Sequence, residues 1–295
     1  MTILLMYSTH VPSSRHIETL RSMGLNVVVA RDEQHAVALA PEVDIVFGHR
    51  YLRQISAHAK RLKWVQSTAA GVNRLPLKAL KAMDVLLSRN IYDADVIALH
   101  AIAMSLGLIR AIAFEHESYR KHEFRCLPNN AMVLGTGQIG KRVAKKLKGI
   151  GIKSIQGVNS DGRAVRGFAQ TWSSKNWIQG ARSASLVIDC LPADSVLLDD
   201  TFFGALPESA FFVSVGRIEN IKVKAMELAL RKGRLAGAAL DTKQYSNKGS
   251  EDVPNLLLTP HCASHDEGRE ARLENAFESQ LQRYLNGETL QGVVF

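Results

Sequence analysis

Hydrophobic and polar positions along the chain follow two periods in alternation. Short apolar runs at Ile3–Tyr7, Val27–Ala30, Ile45–Gly48, Trp64–Ser67 and Val85–Ser88 are continuous and rich in Val, Leu and Ile. Such runs mark strands buried on both faces. Between them lie stretches such as His16–Met23 and Tyr51–Lys60, whose apolar residues recur at helical spacing. Parallel neighbours can be joined only by a crossover, so strands alternating with helices predict a parallel sheet covered by helices on both sides.

The segment Asp93–Tyr119 contains no Pro and reads as one long helix with an apolar middle, a bridge between domains. After Pro128-Asn129-Asn130 the alternation resumes. Ala131–Leu134, Ser154–Val158, Leu186–Leu191, Phe211–Val215, Gly237–Leu240 and Leu256–Thr259 predict a second parallel sheet. The last amphipathic run, Glu267–Leu285, stops at Asn286-Gly287, a good helix terminator. Its apolar face needs a partner, and the first domain is the expected one. The pattern therefore predicts an α/β protein with two doubly wound parallel-sheet domains. The first is discontinuous, residues 1–93 plus 267–295, and closed by the C-terminal helix; the second spans 94–266. The functional site is expected in the cleft between them.

Composition narrows the classes without changing this picture. A hydrophobic fraction of 46% and a charged fraction of 22% are those of an ordinary globular protein. The net charge of +9 is spread over helix-spaced lysines and arginines (Lys60, Arg61 and Lys63; Lys141–Lys148; Lys222–Lys232) rather than gathered in one stripe. That argues against a nucleic-acid partner. The longest apolar run, Val96–Phe114, carries His100 and Arg110 and reads as a buried helix, so no membrane partner is expected. Cys126, Cys190 and Cys262 show neither metal-ligand spacing nor a disulfide framework, which points to a reducing cytoplasm and to no metal.

The chemistry begins at Met132–Gly140, MVLGTGQIG, where Gly135, Gly137 and Gly140 form a GxGxxG pattern between an apolar strand and a helical pattern. This arrangement needs a tight turn at the first Gly, close backbone approach to a pyrophosphate at the second and close helix–strand packing at the third. The helix beginning at Gln138 and Ile139 presents free N–H groups to the phosphates. The motif makes the second domain a Rossmann-like dinucleotide site. No acid ends the next strand, where one would bond the ribose of NAD; Asn159 and Ser160 stand there, followed by Asp161 and Arg163. Arg163 favours NADP, and Asp161 keeps NAD open.

Three further segments follow in order: FFVSVGRIEN with Arg217, GAALD with Asp241, and NLLLTPHCAS with His261, each ending a predicted strand. The set resembles the D-isomer-specific 2-hydroxyacid dehydrogenases. LKWVQSTAAGVNRLP is similar to that family's substrate loop, and VIALHAIAMSLGLIR to its interdomain helix. The resemblance implies a reductase interconverting small 2-keto acids and D-2-hydroxy acids. Arg217 would clamp the substrate carboxylate with help from backbone N–H groups at Ala70 and Gly71, and His261 would protonate the keto oxygen as hydride arrives. Asp241 would bond the nicotinamide carboxamide, and Leu191, Pro192, Val215 and Gly216 would line the cofactor. A homodimer is also implied. Other roles stay open: an ion pair for Arg217, a turn cap for Asp241, packing or surface roles for His100 and His265, and a small buried residue in Cys262.

Ser214 stands where the family pattern has Asn, Ile218 where it has Gly and Leu99 where it has Glu. The position of the acid that pairs with the family's catalytic His falls on Ser246. Either Glu251 or Asp252 folds back to replace that acid, or His261 works unpaired, the favoured alternative. Free imidazole titrates at about 6.5, so an unpaired His261 would still donate a proton, with activity falling as pH rises. The competing reading is a dinucleotide-binding regulatory or scaffold protein with impaired catalysis.

Overall fold

A computed structural model describes residues 1–7, 11–112, 125–195, 198–245 and 253–295. These fold into two compact units, Met1–Asp93 with Asp266–Phe295, and Ala94–His265. Among the described residues each unit holds one sheet, and every pairing between the named strands is parallel.

The first sheet comprises β1 (Thr2–Met6), β2 (Asn26–Val29), β3 (Ile45–Gly48), β4 (Trp64–Gln66) and β5 (Leu86–Ser88), in the order β2-β1-β3-β4-β5. Its strands are short and apolar because both faces are covered. Leu4, Met6, Val46 and Val65 enter one core, while Ile3, Leu5, Phe47 and Trp64 enter the other. The second core is completed by the C-terminal helix Arg269–Leu285. Its Phe277 ring stacks on Phe47 with centroids 4.1 Å apart, and its Tyr284 ring stacks on Trp64. The last helix thus supplies the apolar partner that the first sheet lacks. Asn286 caps its end, and Gly287 follows with φ +69°.

The second sheet comprises β6 (Asn130–Leu134), β7 (Ser154–Asn159), β8 (Gln170–Ser173), β9 (Leu186–Asp189), β10 (Ala210–Ser214), β11 (Leu235–Asp241) and β12 (Leu256–Thr259). Their order is β12-β11-β10-β9-β6-β7-β8. Chain order reverses on either side of β6, so the crevice beyond the carboxyl ends of β6 and β9 is the switch point where such sheets bind ligands.

Two expected elements differ. Of Tyr51–Lys60 only Leu52–Ile55 is helical, and turns complete the segment. The long helix runs from Ala94 to Ile109 and ends at Ala111 with φ +53°, while the rest of its expected span, 113–119, lies outside the described residues. The edge strand β8 is an addition. Of its residues Gln170–Ser173 only Trp172 is apolar and none is buried, so they carry no apolar run to signal it.

Candidate functional site

The glycine turn follows β6. Gly135 adopts φ +92°, and a Cβ there would sit 3.2 Å from the Cys190 carbonyl oxygen, so only Gly fits between the ends of β6 and β9. A Cβ on Gly140 would collide with the Gly135 carbonyl oxygen, which is how the third glycine lets the helix press against the turn. At Gly137, by contrast, a Cβ would meet no heavy atom within 4 Å. The helix Gln138–Gly149 buries Gly140, Val143, Ala144 and Leu147 at helical spacing and turns Lys141 and Lys145 to solvent. Its N-cap is Gly137, with no side-chain cap and no acid in the first turn. Open space, uncapped N–H groups and the positive end of the helix dipole all fit a pyrophosphate at this point.

Beyond β7, Asn159 accepts from the Gly162 N–H at 2.6 Å and donates to the Arg163 carbonyl at 3.0 Å, closing a tight turn. Ser160 and Arg163 are exposed, and the Arg163 guanidinium lies 3.9 Å from the Asp161 carboxylate. The turn thus offers an exposed cation and hydroxyl on the side where a ribose phosphate would be expected, and no buried acid among its residues.

β11 ends in Asp241, buried beneath the turn that follows β12. Its Oδ1 accepts from the Thr259 hydroxyl at 2.7 Å and from the Cys262 N–H at 2.8 Å, and its Oδ2 from the Ala263 N–H at 3.0 Å. The carboxylate is therefore a turn cap, whatever else it does. These bonds pull the chain over so tightly that His261 adopts φ +56°, a conformation rare outside glycine. The His261 ring is exposed, and its Nδ1 lies 3.3 Å from the Asp241 carbonyl oxygen. A carbonyl only accepts, so Nδ1 carries the proton and Nε2 faces outward as the free ring nitrogen. Ser246, Glu251 and Asp252, on which the question of a partner acid turns, lie outside the described residues.

His100 on the long helix joins this cluster, a role the sequence did not suggest. Its Nε2 lies 3.0 Å from Thr259 Oγ1 and 4.0 Å from Asp241 Oδ1. Since Thr259 gives its own proton to Asp241, His100 is the donor to Thr259. His100, Asp241 and the half-buried Cys262 bring ligand-type atoms within 4.8 Å of one another, but both oxygens of Asp241 are already engaged.

Arg217 follows β10 and is half-buried, with Nη1 donating to the Gly216 carbonyl at 3.2 Å. It makes no ion pair among the described residues, so its charge is available. Val215 and Gly216 are buried beside it, while Leu191 and Pro192 follow β9. All strands being parallel, Gly135–Gly140, Leu191–Pro192, Val215–Arg217, Asp241 and His261 gather along the carboxyl edge of one sheet.

The remaining predicted residues, Ala70 and Gly71, belong to the first unit and are half-buried. Their loop is braced from β4 and β5. The Asn90 N–H donates to the Ala69 carbonyl at 3.0 Å, and the Asn90 amide to the Thr68 carbonyl at 3.2 Å. His49, at the end of β3 and unmarked by any motif, places Nδ1 3.3 Å from Ser67 Oγ and 3.2 Å from Thr68 Oγ1. Burial, reinforced by the Arg269 charge, pushes its imidazole below the usual histidine range and keeps it neutral.

A glycine turn that fits a dinucleotide, an arginine with no ion pair within 4 Å and a histidine of strained backbone on one sheet edge are the parts a nicotinamide-dependent oxidoreductase needs. Comparison with known proteins is specific. The family model for the NAD binding domain of D-isomer specific 2-hydroxyacid dehydrogenases matches residues 102–263, more than half of the chain. The protein belongs to that family. The chain is 27% identical over 273 residues to a D-lactate/D-glycerate dehydrogenase of Pediococcus acidilactici, covering 81% of this chain and 78% of the relative. It is 24% identical over 255 residues to a D-specific alpha-keto acid dehydrogenase of Enterococcus faecium, covering 78% and 77%. Among solved structures, an acyclic imino acid reductase in complex with NADPH and D-Arg superposes with a TM-score of 0.83 at 22% identity, over the full length of both chains. That likeness speaks for the fold. The protein is thus an NAD(P)-dependent 2-hydroxyacid dehydrogenase or reductase, and no helix among its described residues is long and apolar enough to cross a membrane.

Proposed function

We propose that the protein reduces small 2-keto acids of the glyoxylate and hydroxypyruvate type to D-2-hydroxy acids, with NADPH favoured over NADH and in the cytoplasm. The observation that carries this reading is the convergence of Arg217 and His261 on the sheet edge that also bears the glycine turn. Bound NAD(P)H supplies the hydride. The Arg217 guanidinium holds the substrate carboxylate, for which its planar fork is suited, and polarises the keto oxygen. As the imidazolium, His261 gives its Nε2 proton to that oxygen, its ring oriented among the described residues by the neutral carbonyl of Asp241 at Nδ1. Backbone N–H groups of Ala70 and Gly71 are proposed as further donors to a carboxylate. Asp241 would bond the carboxamide through the lone pairs its turn leaves open. Gly135, Gly137, Gln138, Ile139 and Gly140 would cradle the pyrophosphate, while Asn159, Ser160 and Arg163 would meet the ribose phosphate.

The test is oxidation of NADPH and NADH against a panel of 2-keto acids, with 2-imino acids formed in situ as a second arm. His261→Ala is expected to lower kcat by roughly 10²- to 10⁴-fold, and Arg217→Ala to raise KM and lower kcat together. No turnover on any substrate between pH 5.5 and 8 would reject the reading. Arg163→Ala should weaken NADPH more than NADH, and equal losses would remove its 2′-phosphate role.

A further inference from the structure

The last residue of β9 is a carboxylate with no solvent exposure. Asp189 lies in register between Leu134 of β6 and Ser214 of β10, beside the glycine turn. Its Oδ1 accepts from the Leu191 N–H at 2.9 Å and its Oδ2 from the Ser214 hydroxyl at 2.8 Å. The loop that leads to Arg217 is folded over it. The Gly216 N–H donates to Ser214 Oγ at 3.3 Å, and a Cβ on Gly216 would lie only 2.6 Å from Asp189 Oδ2. Gly216 is therefore glycine because a carboxylate sits beneath it.

Two hydrogen bonds do not compensate a carboxylate taken fully out of water, and a cation must supply the rest. The groups facing Asp189 leave one choice. From β6, Leu134 and Gly135 bring nothing titratable. On its own strand the Cys190 thiol is neutral, pushed up by burial and by the Asp189 charge. Arg217, one residue beyond Gly216, is the cation whose charge favours the ionised carboxylate, against burial that pushes this carboxyl up to about 6. Arg217 makes no ion pair within 4 Å among the described residues, so Asp189 acts on it through charge rather than through a direct contact.

We propose that Asp189 is the internal counter-ion of Arg217, and that it takes up one proton from solvent when an anionic ligand binds Arg217. The idea rests on Arg217 as the carboxylate clamp. Two anions then compete for one cation in a poorly solvated place, and neutralising the internal one relieves the competition. Because coupling is reciprocal, a ligand that favours protonated Asp189 binds more tightly once Asp189 is protonated. The sign is fixed. An added anion raises a carboxyl already titrating high, so affinity for the ligand grows as pH falls and is weakest above neutrality. Shape changes little, since a protonated carboxyl can still accept from Leu191 and donate to Ser214. Asn can do the same, so Asp189→Asn isolates charge from geometry. Asp189 is thus a positioning and tuning residue that touches neither substrate nor cofactor.

The experiment measures binding of oxamate, a non-reacting 2-keto acid analogue, to NADPH-loaded protein by calorimetry between pH 5.5 and 8. A His261→Gln background removes the imidazole that would titrate against the same ligand. With Asp189 in place, oxamate should bind roughly five- to tenfold more tightly at pH 5.5 than at pH 7.5. With Asp189→Asn, the affinity at pH 7.5 should match that low-pH value and hardly vary with pH. Unchanged pH dependence in Asp189→Asn, or weaker binding throughout, overturns the proposal. Should Asp189→Asn fail to fold, carboxyl-carbon NMR decides on the native chain. The Asp189 midpoint should lie near 6 and move upward in Arg217→Gln, and a midpoint in the ordinary carboxylate range or indifferent to Arg217 overturns it. If Arg217→Gln keeps its oxamate affinity, the clamp is the reading that fails. If that affinity is lost but the pH dependence survives Asp189→Asn, only the counter-ion reading fails.

Discussion

His261 occupies a backbone conformation that costs a non-glycine residue about 1–3 kcal/mol. The Asp241 carboxylate imposes it by holding the Cys262 and Ala263 N–H groups. Asn tolerates that conformation better than His does, so His261→Asn should raise the melting temperature while lowering kcat at least a hundredfold. A variant that loses activity without gaining stability would show that the turn is not strained. What could be read directly was the placement of Arg217, Asp241 and His261 at or just beyond strand ends. Asp189 and His49 could not be read in this way. What makes them notable is burial and the hydroxyls they meet, Ser214 at the end of β10 for one and Ser67 and Thr68 in the loop after β4 for the other. No local pattern encodes that.

Within the turn between β6 and its helix, the three glycines separate into two kinds. Gly140→Ala must push the helix off the Gly135 carbonyl and should lower both stability and cofactor affinity. Gly137→Ala has open space around its Cβ, so thermal denaturation without cofactor should barely change, while NADPH affinity should fall because the methyl occupies the pyrophosphate's path. Equal NADPH affinity in Gly137→Ala and the native chain would remove the phosphate from that position. β3, buried on both faces, was legible from its apolar run alone, and the edge strand β12, whose residues are half-buried or exposed, also keeps the expected limits. β8 was not legible, because an edge strand of Gln, Thr, Trp and Ser is held by backbone pairing to β7 and carries one apolar residue, Trp172, too few to form a run. The helix expected over Tyr51–Lys60 stops at Ile55 although its apolar spacing continues, so spacing alone set its limits too long.

Across the whole chain, the first unit is sewn together at Asp93. Its buried carboxylate takes Arg269 at 3.1 Å and Arg272 at 3.0 Å, both on the returning C-terminal helix, and accepts from the Asn90 amide at 2.7 Å. Removing the shared anion strands two partly buried cations. Asp93→Ala should therefore cost about 3 kcal/mol, read as an earlier chemical denaturation transition of the first unit. A change below 1 kcal/mol would show the cluster to be incidental. The long helix also leaves Leu99 59% exposed, and Ile112 just beyond it 71% exposed. Light scattering is expected to give twice the chain mass of 32.5 kDa, falling to the monomer in Leu99→Lys.

The stacking of Phe277 on Phe47 also sets an order of events at the ribosome. β1 to β5 emerge first, but the ring that covers Phe47 and Trp64 is encoded almost at the end of the chain. At about 5–20 residues per second, the intervening stretch takes on the order of ten to forty seconds to synthesise. The second unit, continuous in the chain, can finish folding within that interval. The first sheet waits with one aromatic face wet, and this is when the newborn chain most needs a chaperone.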